Sequence, residues 1–80
     1  MHFVYILQSL KDKGLYIGKT SNLKRRLAEH KGGHVSSTKS RRPFRLVDTI
    51  SCENEIEARS LEHKLKSGSS REELKKKYNL

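Results

Sequence analysis

The sequence predicts an α+β fold of two layers, a small sheet with helices packed against it. Three observations carry that expectation. Three short β-prone runs, Phe3–Leu7, Leu15–Ile17 and Phe44–Ile50, are separated by polar segments. Two longer segments place leucines at helical spacing behind residues that cap helices. Only 32% of the 80 residues are apolar and there is no Trp, which allows a thin core between layers but no large enclosed cavity. A chain of this size buries only about 60% of its unfolded surface, so residues 1–80 are expected to form one domain.

The run Phe3-Val4-Tyr5-Ile6-Leu7 does not alternate between apolar and polar residues. A strand apolar on both sides is covered on both faces, so it belongs in the middle of the sheet. Ser9 to Gly14 is polar and holds the turn formers Asp12 and Gly14. Leu15-Tyr16-Ile17 then returns as the second arm of a hairpin, ended by Gly18. A symmetric loop would set Tyr5 opposite Tyr16, with both rings on one face. Ser21 or Asn22 caps a helix that runs to about Lys31, with Leu23 and Leu27 as its buried pair and Gly32-Gly33 as its stop. His34 to Arg42 is Ser-rich and basic and is expected to be a loop, closed by Pro43. A second helix spans about Asn54 to Lys66, with Ala58, Leu61 and Leu65 inward. Glu53, Glu55 and Glu57 stand near its start, where the helix dipole favours negative charge. After the break at Ser67-Gly68-Ser69, Ser70 and Glu73 fit a capping box for a last short helix carrying Leu74 and Tyr78.

The formal charge is +9, and its placement narrows the function. Residues 11–45 hold eleven Lys and Arg against two acids, Asp12 and Glu29, while the basic and acidic residues of 46–80 cancel. The whole excess therefore lies in the middle of the chain. Such a field attracts polyanions and releases counterions from a phosphate backbone. An anionic membrane is the competing partner, but no helix offers a large apolar face and no segment approaches the roughly 20 apolar residues of a span. One cysteine, Cys52, excludes an internal disulfide, and Met1 to Leu7 has no basic leader; both point to a cytoplasmic protein.

Three places hold residues suited to chemistry. Tyr5 and Tyr16 form a pair beside Gly18. A phenol can hold or accept a proton from an attacking water, although its ordinary pKa near 10 demands nearby cations. Arg26 and His30 lie one turn apart on the first helix, beside the face carrying Leu23 and Leu27. A guanidinium there can grip a phosphate by two hydrogen bonds. Glu62 falls within the inward stripe of Ala58, Leu61 and Leu65, where an ionised carboxylate is costly unless it is paired or bound to a metal. A salt bridge to Arg25 or Arg26 and coordination of Mg²⁺ both account for it, since Mg²⁺ is often held by one or two carboxylates with water and phosphate.

These pieces resemble the GIY-YIG endonuclease superfamily, in particular its small stand-alone bacterial members. Phe3-Val4-Tyr5 and Tyr16-Ile17-Gly18 resemble the two halves of its motif. Asn22 to His30 is similar to its Arg-and-His helix, and Ala58 to Lys66 to its carboxylate helix. The match keeps the family's order and spacing and covers nearly the whole chain. It implies a three-stranded antiparallel sheet flanked by two to three helices and a single divalent ion, Mg²⁺ or Mn²⁺, on Glu62. It also implies hydrolysis of phosphodiester bonds in DNA. By the same resemblance Tyr5 and Tyr16 orient or deprotonate the attacking water, Arg26 steadies charge on phosphorus, and His30 supports a tyrosine or a phosphate. Phe3-Val4 replaces the family's first Gly-Ile, so that half of the motif rests on Tyr5. Lys19, Lys24, Arg25, Lys31, Lys39, Arg41 and Arg42 are the expected phosphate contacts, which position without specifying sequence. No separate targeting segment is expected after Leu80. The expectation is therefore a monomeric, structure- or context-dependent endonuclease with weak intrinsic sequence preference, open to recruitment by another protein. The alternative is a module that binds DNA or RNA on the same surface without cutting it.

Overall fold

In the computed structural model, which describes all 80 residues, the chain runs β1 (His2–Ser9), β2 (Leu15–Thr20), α1 (Leu23–Gly32), α2 (Ser36–Lys39), β3 (Phe44–Cys52), α3 (Glu55–Leu65) and α4 (Gly68–Lys77). The three strands form one antiparallel sheet in the order β2-β1-β3. β1 is thus central, as expected of a run apolar on both sides. Strand alternation assigns its side chains to two different environments. Val4 and Ile6 join Leu15 and Ile17 of β2, and with Cys52, Ala58 and Leu74 they make the hydrophobic core under α3 and α4. Tyr5 and Leu7 point to the other face, which α1 covers through His30.

The hairpin register differs from the symmetric one. Tyr5 pairs with Gly18, and Tyr16 pairs with Leu7. The tyrosines are therefore diagonal neighbours, still on one face because the offset is two residues. The turn sets this register. Ser9 N–H donates to the Gly14 carbonyl at 2.9 Å, Asp12 accepts the Gly14 N–H at 2.7 Å, and Lys13 takes a left-handed φ of 64°. Gly18 lies inside β2 rather than ending it, because its pairing with Tyr5 carries the ladder on to Thr20.

Asn22 caps α1 by accepting the Arg25 N–H at 3.1 Å, and Gly33 ends it at φ 78°. The expected buried pair of this helix is corrected: Leu23 and Leu27 are half-buried, and the residue it buries is His30. The expected loop before Pro43 contains the single turn α2, held because Val35 and Thr38 point inward. Ser9 Oγ donates to the Arg41 carbonyl at 2.7 Å, and Arg41 forms a two-pronged bond to Asp12, so this segment is tied to the β1–β2 turn. The second helix begins where expected, with Asn54 as its cap, accepting the Glu57 N–H at 2.8 Å. The capping box at Ser70 does not form. α4 starts three residues earlier, after Ser67, and Ser70 Oγ instead donates to the Lys64 carbonyl at 3.0 Å, tying α4 to α3. The count of helices is accordingly four rather than two or three.

Candidate active site

Tyr5, Tyr16 and His30 meet on the α1 side of the sheet. Ring centroids lie 6.3 Å apart for the tyrosines, 5.5 Å for Tyr5 and His30, and 5.1 Å for Tyr16 and His30. Tyr5 is 1% exposed and its hydroxyl sits 2.7 Å from His30 Nε2. Gly18 makes this possible: a Cβ on Gly18 would overlap the Tyr5 hydroxyl and ring. His30 is 2% exposed, and its Nδ1 lies 2.8 Å from Thr38 Oγ1. His30 thus contacts a tyrosine and is itself withdrawn from solvent. Tyr16 is only half-buried and lines an open cleft with Asp12, Arg41, Lys66 and Arg71.

Arg26 stands at the open side of this cluster. One N–H donates to Glu29 Oε1 at 3.2 Å. Its interaction with the Tyr5 phenol is the largest influence raising its affinity for its proton. Burial raises the pKa of Tyr5 most; Arg26 opposes the rise, and the nearby Tyr16 and Glu62 add to it. Burial, with Arg26 as a second cause, lowers the pKa of His30. Near neutral pH the result is a neutral phenol against a neutral imidazole, with a fixed cation beside them.

Glu62 is the most withdrawn of the site's charges. Its side chain is 19% exposed, and its partner is Lys66 at 3.6 Å rather than Arg25 or Arg26. No hydrogen bond joins it to the tyrosines, although its charge acts on Tyr5. An exposed lysine one turn away is a weak, displaceable partner. Nowhere do three or more His, Cys, Asp or Glu gather as a ready-made metal cage. Glu62 by itself offers one carboxylate, the kind of oxygen donor a hard cation can take together with water and phosphate.

A family model described as the GIY-YIG catalytic domain matches residues 1–79. The chain belongs to the GIY-YIG family. Among its relatives, a UPF0213 protein of Natronomonas pharaonis is 42% identical over 67 residues, covering 82% of this chain and 78% of that one. A UPF0213 protein of Staphylococcus haemolyticus is 39% identical over 75 residues, covering 92% and 90%. The solution NMR structure of a UPF0213 protein from Bacillus halodurans matches with a TM-score of 0.57 and 38% identity, covering 91% of this chain and 80% of that one.

Around this GIY-YIG site the basic residues fall into two groups. Lys24, Arg25, Lys31 and Lys39 are exposed and form no ion pair, and Arg25 shares a shallow polar groove with Arg26, Lys19 and Glu29. The others are engaged within the fold. Lys19 faces Glu55 at 3.8 Å. Arg41 holds Asp12 and lies 5.7 Å over the Phe44 ring. Arg42 donates to the Lys39 and Lys31 carbonyls, fastening α1 to α2. Thr38 has no sequence signal of its own, since a threonine in a Ser-rich stretch looks like loop. The two glycines before it conceal that the chain folds back under α1. No helix is long and apolar enough to cross a membrane.

Proposed function

We propose that this chain is a metal-dependent endonuclease that hydrolyses phosphodiester bonds in DNA, with weak intrinsic sequence preference and a dependence on DNA structure or context. The observation that carries the proposal is the buried Tyr5–His30 pair with Arg26 fixed at its open side. Such a tethered guanidinium is suited to a phosphate whose negative charge grows as it is attacked. Tyr16, the phenol that reaches solvent, orients the attacking water and, as the phenolate in the cleavage-competent state, accepts its proton as the new P–O bond forms. The bond to the leaving oxygen breaks with its electron pair on that oxygen, and Arg26 steadies the charge in between. Glu62 would hold the divalent ion, Mg²⁺ or Mn²⁺, whose charge would neutralise phosphate oxygens. Lys24, Arg25, Lys31 and Lys39 hold the backbone on either side, which fixes position without choosing sequence. In this reading the protein works as a cytoplasmic monomer, and a recruiting protein is one route by which it would reach a particular DNA.

The test uses supercoiled plasmid, branched DNA and single-stranded DNA with Mg²⁺ or Mn²⁺. Wild type cuts at least one of them, while Tyr16→Phe, Arg26→Ala and Glu62→Gln lose cleavage by a hundredfold or more (~10²) and retain binding. Tight binding without cleavage by wild type would establish the binding-module reading instead. Cleavage by Glu62→Gln at the wild-type rate would remove the metal role from that residue.

A further inference from the structure

Thr38 is fully buried, yet it is polar and lies outside the set of residues that meet substrate in the proposed reaction. Its Oγ1 sits between two groups, His30 Nδ1 at 2.8 Å and the carbonyl of Val35 at 3.3 Å. On the far side of the imidazole, Nε2 meets the Tyr5 hydroxyl at 2.7 Å. The four groups form one line: Val35 carbonyl, Thr38 hydroxyl, His30 ring, Tyr5 hydroxyl.

Both ends of that line dictate its direction. The Thr38 hydroxyl is placed to donate to the Val35 carbonyl, which only accepts, and a Thr38 proton committed there leaves Oγ1 to accept from His30 Nδ1–H. Nε2 is then the unprotonated nitrogen and accepts the Tyr5 O–H. At the other end His30 Nε2 is the one hydrogen-bond partner of the buried Tyr5 hydroxyl. A Tyr5 proton turned away from that nitrogen would meet no acceptor. Both ends favour a His30 that carries its proton on Nδ1.

We propose that Thr38 is a positioning residue that fixes the Nδ1–H tautomer of His30 and thereby the direction in which the Tyr5 hydroxyl points its proton. With that direction set, the lone pairs of the Tyr5 oxygen face α1 and hold Arg26 in place. With the opposite tautomer, Nε2–H would compete with Arg26 for the same oxygen. The bond that one ring nitrogen makes decides the other, and Thr38 supplies that bond from a helical turn whose place depends on the Ser9, Asp12 and Arg41 contacts. The tautomer is argued from the hydrogen-bond geometry; its consequence for cleavage rests on the nuclease reading above.

The test compares Thr38→Val, which keeps the shape and removes the hydroxyl, with Thr38→Ser, which restores it. Long-range ¹H–¹⁵N spectra of the imidazoles, with His30 assigned by its loss in His30→Asn, report the tautomer without any need for activity. Wild type and Thr38→Ser should show the Nδ1–H form, and Thr38→Val a rise in the Nε2–H form. In the DNA assay Thr38→Val should lower kcat at least about tenfold with KM changed little, Thr38→Ser recovering most of the rate, since a wrong tautomer alone can cost up to ~10⁴ in a catalytic imidazole. An Nε2–H tautomer in wild type would overturn the proposal, as would an unchanged tautomer in a folded Thr38→Val. A wild type that cuts nothing would fail the nuclease reading while the spectra still decide the tautomer.

Discussion

Replacing Gly18 by Ala tests how the site is held open. Gly18 sits in regular strand, so its backbone does not need glycine, and alanine there should by itself stabilise the strand by about 0.5–1 kcal/mol. The new methyl, however, would occupy the space of the Tyr5 hydroxyl and ring. Tyr5 is 1% exposed and packed against His30 and Tyr16, so the ring has no free volume to move into. Overpacking of that kind costs roughly 1–3 kcal/mol. If the ring tilts enough to break the buried bond to His30, a further 1–3 kcal/mol or so follows. The clash therefore offsets or outweighs the propensity gain, for a net loss of about 0–2.5 kcal/mol from overpacking alone and about 1–5.5 kcal/mol if the bond to His30 breaks as well. Urea unfolding followed by circular dichroism measures it. A double-mutant cycle then assigns the cause: in a Tyr5→Leu background the ring is gone, and Gly18→Ala should become neutral or slightly stabilising. Gly18→Ala as stable as wild type, or a penalty that persists in Tyr5→Leu, would show that the close approach of Gly18 and Tyr5 does not govern this position.

The depressed pKa of His30 gives stability a definite pH dependence. The unfolded histidine takes up its proton near pH ~6.5 while the folded one stays neutral to lower pH, so between the two values the unfolded state binds more protons and stability rises with pH. Urea midpoints should therefore fall as the pH drops from 7 through the mid-sixes, and His30→Gln should flatten that slope; a slope unchanged in the variant would place its origin elsewhere. Asp12 has its carboxyl held down at about 2, chiefly by Arg41 and then by the Gly14 N–H. An NMR titration should find that midpoint in wild type and move it toward the ordinary carboxylate range in Arg41→Gln; no movement would dissociate Arg41 from Asp12 in solution. Lys24 and Arg25, exposed and unpaired, should each contribute about one phosphate contact, so the double change to Gln should make the slope of log K against log salt shallower by about 1.8, while Arg41→Gln changes it less. Equal slopes for all these proteins would move the phosphate grip away from α1.

The sequence by itself determined the parts that depend on local pattern. The central place of Phe3–Leu7, a helix start at Ser21 or Asn22 and another at about Asn54, and the position of Glu62 on an otherwise apolar stripe all follow from side-chain type at strand or helix spacing. So does the concentration of charge in residues 11–45. Tertiary structure alone decided what those residues touch. The hairpin turn moved Tyr16 from opposite Tyr5 to its diagonal and set Gly18 beneath the Tyr5 ring, because register depends on how a turn closes rather than on strand composition. Burial of His30 in place of Leu23 or Leu27 came from the sheet face that α1 covers, which is lined by phenols. The partner of Glu62 proved to be Lys66, one turn on in its own helix, because neither arginine of α1 bonds to it. Thr38 reached His30 only because the chain after Gly33 folds back under the helix, a path fixed by contacts between residues about thirty positions apart that no local pattern encodes.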